Sequence, residues 1–147
     1  MISYFDTSVL VPAIVSRHVN HEACVRLLHR AKATGEPITS TNHTPVEMYT
    51  TLTKLPEPYK LPPKQALLAI QQLLTTYFSS TIDLNRSDYL TALEHCAARQ
   101  LVSGVIYDAL HLQAAIKAGA EVLYTANLRD FERLWTDELP MKLVGVG

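Results

Sequence analysis

Cysteine, glycine and net charge are all scarce in this chain of 147 residues, and each shortage excludes a class of protein. The only two cysteines, Cys24 and Cys96, fall on the apolar stripes of predicted helices. We interpret them as buried thiols rather than a disulfide framework or a metal knuckle. The five glycines are scattered, which excludes a glycine-rich phosphate-binding loop. A formal net charge of −1 excludes a broadly basic surface, so any contact with nucleic acid must be local.

Long apolar runs are also missing. The longest, from Val9 to Val15, is interrupted by Pro12 and is far too short to span a bilayer. The N-terminus carries neither the charged region nor the cleavage site of a signal peptide. We therefore expect no membrane contact and a reduced, cytoplasmic setting. The length fits one domain, which we take to cover residues 1–147.

Short apolar strands alternate with amphipathic helices along the whole chain. The predicted strands cover residues 2–5, 37–40, 81–84, 121–125 and 142–146. The predicted helices cover residues 8–16, 20–33, 45–55, 63–78, 86–100, 106–118 and 128–135. The proline-rich segment 55–63 is predicted as a loop, because its prolines interrupt helical hydrogen bonding. This alternation predicts an α/β, three-layer domain with a central, mostly parallel sheet flanked by helices.

Three local features of these helices follow from the residue pattern. Pro12 is expected in or near the first turn of its helix, where proline is tolerated. The helix over 63–78 is expected to bury a face that includes Leu67 and Ile70. The helix over 86–100 is expected to bury a face of apolar residues in phase: Tyr89, Leu93, Cys96 and Ala97.

Polar side chains with metal-binding chemistry follow the predicted strands or begin the predicted helices. In parallel sheets, sites form beyond the carboxyl ends of the strands, so these side chains are expected at one edge. Carboxylates that converge there repel one another unless a cation neutralises them. Hard oxygen ligands suit Mg²⁺ or Mn²⁺, which can activate a water against a phosphate. The candidates are Asp6, Glu47, Asp108, Asn127 and Asp130.

A purely structural role also fits several of these residues. Thr44-Pro45-Val46-Glu47 has the pattern of a capping box, so Glu47 alone is better explained as a helix cap. Asn127 has the pattern of an N-cap with Asp130 three residues later. Asp6 fits a solvated strand end beside a helix capped by Thr7 or Ser8.

Asp108 is the hardest of the acids to explain as a structural residue. It lies among apolar residues early in its predicted helix, and a carboxylate in such surroundings needs a partner. His111, three residues later, is the expected hydrogen-bond partner. The joint placement of the acids is stronger evidence than any one of them, because helix N-termini favour both capping acids and metal-binding acids.

Four segments of the chain resemble the PIN-domain family, and within it the VapC-type toxins. The similarity covers nearly the whole chain, and the segments occur in the family's order at plausible intervals. No single segment is specific, but the four together are. They are Phe5–Leu10, Pro45–Glu47, Tyr107–His111 and Thr125–Phe131.

The resemblance implies an Mg²⁺- or Mn²⁺-dependent endoribonuclease that acts on an RNA substrate. It also implies a toxin restrained by a cognate antitoxin protein, and a homodimer. Asp6, Glu47 and Asp108 match the family's three acidic positions. By this resemblance Asp6 and Asp108 hold the metal, and Glu47 assists or positions a water that attacks phosphorus.

The fourth family position is often aspartate, but here Thr125 is followed two residues later by Asn127. Asn127 can orient a water or ligand but adds no charge, and Asp130 either supplies the missing carboxylate or only caps a helix. Thr7, Ser8 and Thr125 are expected to donate hydrogen bonds to phosphate or to the acids.

The residues alone do not exclude two other functions. One is a catalytically weakened PIN-like module that binds RNA or a partner protein. Another is a phosphotransfer enzyme that uses Asp6 as nucleophile, although that class needs a second aspartate where this chain has Ser8. His18 and His21 lie three residues apart, but no further histidine or cysteine completes a zinc site.

Overall fold

Four short strands and seven helices make up the chain, and the computed structural model describes residues 1–147. The strands are β1 Ser3–Phe5, β2 Ile38–Thr39, β3 Val122–Thr125 and β4 Lys142–Gly145. The helices are α1 Thr7–Ile14, α2 His21–Ala33, α3 Thr44–Leu52, α4 Pro63–Tyr77, α5 Arg86–Ala98, α6 Val105–Ala118 and α7 Leu128–Leu134.

The strands form one sheet in the order β2-β1-β3-β4, and every neighbouring pair is parallel. β1 and β3 are therefore the central strands. Phe5 pairs with Tyr124, so both strands end at the same edge of the sheet. The parallel sheet that the sequence predicts is confirmed, but the strand expected over 81–84 is reduced to a single bridge between Thr41 and Ile82.

Two separate apolar cores cover the two faces of the sheet. Successive strand residues point to opposite faces, so Tyr4 packs with α5, α6 and α7, whereas Phe5 packs with α1 to α4. The sheet is thus the middle of three layers, as expected. Cys96 lies in the first core and Cys24 in the second, and both thiols are free and buried. No helix combines the length and the apolar character that crossing a membrane would require.

The buried faces of two helices differ from those expected. On α5, Tyr89 and Leu93 are 41% and 51% exposed, and only Ala92 and Cys96 are buried. α5 packs against α6, whose own buried face is rich in alanine, and two helices approach closely only through small side chains. On α4, Leu67 is exposed and Ile70 is buried together with its neighbours Ala66 and Leu73.

Pro12 also lies one turn later than expected. It is the sixth residue of α1, where its missing N–H leaves the Ser8 carbonyl without its usual helical donor. The helix ends two residues later at Ile14, so few hydrogen bonds are affected. The Pro12 carbonyl accepts a hydrogen bond from Nδ1 of His21 at 2.7 Å, which ties the start of α2 to α1.

Truncating Leu123 should cost far more stability than truncating Leu93. Leu123 is fully buried on the central strand β3, so Leu123→Ala is expected to lower the free energy of unfolding by about 2–5 kcal/mol. Leu93→Ala removes the same atoms from an exposed site, so its effect is expected within about 0.5 kcal/mol. Urea denaturation measures both free energies of unfolding. Equal losses for the two variants would show that α5 buries Leu93, contrary to the structure.

Candidate active site

Asp6 occupies the step between the central strand β1 and helix α1. Only 2% of the residue is exposed, so the solvated strand end expected on one interpretation is wrong. Its Oδ1 accepts a hydrogen bond from Ser8 Oγ at 2.6 Å, and its Oδ2 accepts one from Thr125 Oγ1 at 2.8 Å. Burial raises the pKa of Asp6, although the charge on His111 and these two hydroxyls act in the opposite direction.

The hydroxyls that hold Asp6 are themselves fixed by the backbone after β3. The Ala126 N–H donates to Ser8 Oγ at 2.8 Å, and the Asn127 N–H donates to Thr125 Oγ1 at 2.9 Å. Each hydroxyl therefore accepts from the backbone and donates to the carboxylate, an arrangement in which each hydrogen bond polarises the next. The expected caps of α1 by Thr7 or Ser8 do not form, since the helix has no side-chain cap.

Glu47 lies in the first turn of α3 and is held by a histidine distant in the chain. Its Oε1 accepts from His111 Nε2 at 2.8 Å and from Thr7 Oγ1 at 3.1 Å, and it lies 3.4 Å from Nδ1 of His43. Burial alone would raise the pKa of Glu47, but the hydrogen bonds and charges of the two histidines hold it below its ordinary value. Glu47 is thus an ionised side chain with fixed geometry.

The capping box expected around Glu47 is absent. The N-cap of α3 is His43, and it makes no side-chain cap. The Thr44 hydroxyl instead lies 2.6 Å from the Ser40 hydroxyl, which donates to the Phe5 carbonyl and so ties α3 to the end of β1. Glu47 is therefore directed to the site by tertiary contacts rather than by its own helix.

His111 is fully buried in the same network. The Tyr4 hydroxyl lies 2.7 Å from its Nδ1, while its Nε2 faces Glu47 and Thr7. Burial lowers the pKa of His111, yet the hydrogen bond to Glu47 and the surrounding carboxylates leave it raised above its ordinary value. The expected hydrogen bond between His111 and Asp108 is wrong, because both ring nitrogens of His111 are already engaged elsewhere.

Asp108 lies half-buried in the first turn of α6, and none of the salt bridges includes it. Burial and the negative charges of Asp6, Asp130 and Glu47 raise its pKa to about 7, against the weaker opposite effect of His111. The direction of this shift is the one expected for a half-buried carboxylate with other acids nearby, and the charge of His111 offsets it only in part.

Asn127 and Asp130 lie at the start of α7. Asn127 is the N-cap residue but makes no side-chain cap, so the expected structural role of its amide is not observed. Its side chain is exposed and lines a cleft with Thr7, Ser8 and Glu47, of about 530 Å³ in volume. Asp130 Oδ1 lies 3.6 Å from the guanidinium of Arg133.

The donor atoms of the site fit a hard divalent cation. Asp6 and Asp108 offer carboxylate oxygens, and hard divalent cations prefer oxygen ligands. No three His, Cys, Asp or Glu side chains are grouped so that they could hold a metal ion together. Mg²⁺ is usually bound by one or two carboxylates and keeps several waters, so it does not require a larger group of protein ligands.

Two members of the network were missed by sequence reasoning. Tyr4 appears in the sequence only as one apolar residue of a buried strand, and His43 carries no signal in a lone sequence. The spacing of His111 three residues after Asp108 predicts a hydrogen bond between them, and this partner is wrong. Its real partner Tyr4 is 107 positions away, and no local pattern records that contact.

Comparison with known proteins identifies the family to which most of the chain is similar. Residues 3–134 match the PIN domain family. The chain is 36% identical over 128 residues to "Ribonuclease VapC40" of Mycobacterium tuberculosis, a match that covers 86% of this chain and 87% of that protein.

Solved structures share the fold at low sequence identity. One is VapC20 of Mycobacterium tuberculosis, described as a Sarcin-Ricin loop cleaving toxin, with a TM-score of 0.70, 16% identity, and 92% and 97% of the two chains covered. Another is VapBC-5 of Mycobacterium tuberculosis, described as a member of the VapBC family of toxin-antitoxin systems. Its TM-score is 0.60, with 15% identity and coverage of 99% and 98%.

Removing the charge of Asp108 is expected to stabilise the metal-free protein above neutral pH. The folded pKa of about 7 exceeds the ordinary 3.8, so the folded state binds this proton more tightly than the unfolded chain. The contribution of the Asp108 carboxyl to the free energy of unfolding is therefore lost as the pH rises from about 4 to 7. We expect Asp108→Asn to add about 1–2 kcal/mol at pH 8, since solvent screens part of the shift.

Chemical denaturation in EDTA at pH 8 and at pH 4 measures this effect. At pH 4 the Asp108 carboxyl of the folded protein is already protonated, so little gain in stability is expected from Asp108→Asn at that pH. An equal gain at both pH values would mean that repulsion at Asp108 is not its source.

Proposed function

Because the chain belongs to the PIN-domain family, we propose that it is a metal-dependent endoribonuclease and the toxin of a type II toxin–antitoxin pair. The observation that supports this most is the buried Asp6 beside the half-buried Asp108, whose pKa is raised to about 7 by burial and by the neighbouring carboxylates. PIN-domain ribonucleases of the VapC type are generally dependent on a divalent metal ion. We propose that the ion is Mg²⁺ or Mn²⁺.

Asp6 and Asp108 are the residues proposed to hold the ion. An ion bound there supplies Lewis-acid activation of a water and stabilises negative charge on the scissile phosphate. Ser8 and Thr125 fix both oxygens of Asp6, so this carboxylate needs no rearrangement when the ion binds. Such pre-organisation is what a site requires to favour the transition state.

Glu47 is proposed to orient the attacking water and accept its proton. All three contacts to Glu47 go to Oε1, from Thr7, His43 and His111, which leaves Oε2 available for water. Its lowered pKa keeps it ionised and able to act as a base. Asn127 offers its exposed amide at the cleft, where it can bind a phosphate oxygen or the water without adding charge.

A phosphotransfer enzyme with Asp6 as nucleophile is disfavoured by the same geometry. That class needs a second aspartate two residues after the nucleophile, and this chain has Ser8 there. The Ser8 hydroxyl donates to Asp6 Oδ1 at 2.6 Å and so serves to hold Asp6 in place. A non-catalytic PIN-like module is distinguished by the cleavage assay below.

The proposed protein partner is suggested by the similarity to a toxin-antitoxin structure. The VapBC-5 structure belongs to a toxin-antitoxin system, so we propose a cognate antitoxin that covers the acidic site of this chain. We also propose that residues 1–147 act as one domain, that the chain forms a homodimer, and that it acts on RNA in the cytoplasm.

Neutralising either proposed metal ligand is expected to abolish cleavage. In an Mg²⁺-dependent assay on RNA, we expect Asp6→Asn and Asp108→Asn to lower kcat by at least about 100-fold, because each removes a charge that holds the ion. Asp137→Asn, a change at an exposed acid outside the site, is the matched control and should retain full activity. Metal-independent RNA binding without cleavage by the unaltered chain would support the binding module instead.

His111 is proposed as a positioning residue that acts through Glu47. We expect His111→Leu to lower kcat by about 10–100-fold with little change in KM, the usual loss when a supporting hydrogen bond is removed. His111→Gln places an amide N–H near the position of Nε2, so it should recover most of this loss. If both variants are equally impaired despite wild-type thermal stability, the hydrogen bond to Glu47 is not the reason.

A further inference from the structure

A second cleft lies along α3 and shares Glu47 with the cleft that Thr7, Ser8 and Asn127 line. Its volume is about 480 Å³, within the roughly 300–1,000 Å³ of small-ligand pockets. Glu47 and Thr51 line both clefts, so the two meet at the proposed base. The lining is mostly polar and consists of His43, Val46, Glu47, Thr50, Thr51, Lys54 and Tyr107.

Two aromatic rings form one side of this second cleft. The rings of His43 and Tyr107 lie 5.9 Å apart between centroids at an interplanar angle of 15°, so they are stacked. Tyr107 is 50% exposed, and neither ring belongs to either apolar core. Core packing therefore does not account for Tyr107, which directly precedes the proposed metal ligand Asp108.

We propose that this second cleft is a subsite for one base of single-stranded RNA next to the scissile phosphate. The inference rests on the proposed function, since it assigns a position to the substrate of that site. Unpaired bases are bound by stacking on aromatic side chains. Tyr107 supplies the exposed ring, and His43 supports it from behind.

The charges of the cleft fit the same ligand. Lys54 is the one lysine or arginine in its lining, and in this proposal it contacts a backbone phosphate of the RNA. This is the local basic contact that a chain of net charge −1 requires in order to bind RNA. A protein partner would be expected to use a more apolar lining, as buried interface centres do.

The test compares Tyr107→Leu with Tyr107→Phe, which keeps the ring, and with Tyr89→Leu. Tyr89 is the matched control because it is also a surface tyrosine, 41% exposed on α5. All are made in the inactive Asp6→Asn background, so that RNA binds without turnover. Fluorescence anisotropy gives Kd for a short single-stranded RNA and for copies with one abasic nucleotide at successive positions.

We expect Tyr107→Leu to raise Kd for the intact RNA by about 5–100-fold, the usual effect of losing one base stack. For the one abasic RNA that lacks the stacked base, the same change should have no further effect. Tyr107→Phe and Tyr89→Leu should both bind like their parent.

Several results would overturn the subsite. They are an unchanged Kd for Tyr107→Leu, an equal loss on every abasic RNA, and no measurable binding by the parent. A shift of Tyr107→Leu from dimer to monomer in sedimentation, with Kd unchanged, would instead make this cleft a contact between copies of the chain. Failure of the unaltered chain to cleave RNA would reject the proposed function separately, because the binding comparison does not depend on turnover.

Discussion

Repulsion between carboxylates buried at one edge of the sheet is the constraint on which the site depends. Asp6, Glu47 and Asp108 are the acids concerned, and the surroundings of each carboxyl group differ. Hydroxyls hold Asp6, and histidines hold Glu47. Asp108 has no such partner, and burial together with the neighbouring acids raises its pKa to about 7. A divalent cation bound beside Asp108 would stabilise its ionised form, and it would also supply the chemistry of phosphodiester cleavage.

The sheet order makes this convergence unavoidable. β1 and β3 are neighbours and parallel, so the residues that follow them emerge side by side. The Asp6 N–H donates to the Tyr124 carbonyl at 3.2 Å, which continues the pairing one residue beyond β1. The helices on the two faces then bring Glu47 and Asp108 from opposite layers. The same two layers contribute the stacked rings of His43 and Tyr107, so the proposed base subsite arises from the same junction.

Most of the fold could be predicted from the sequence because strand and helix periodicity are local properties. The parallel sheet, the three layers and the placement of the acids all follow from it. The errors occurred where a tertiary contact displaced a local one. Thr44 bonds Ser40 rather than capping its helix, and His111 bonds Tyr4 rather than Asp108. The prediction of the buried face of α5 is wrong because close packing against the alanine-rich α6 favours burial of Ala92 over the larger Leu93.

Anomalous scattering from crystals soaked in Mn²⁺ tests the central claim most directly. We predict one strong peak within coordination distance of carboxylate oxygens of both Asp6 and Asp108, with water as the remaining ligands of the ion. Glu47 should remain hydrogen-bonded to His111 outside the direct ligands. An ion bound elsewhere, or no ion at saturating Mn²⁺ with both carboxylates unchanged, would contradict it.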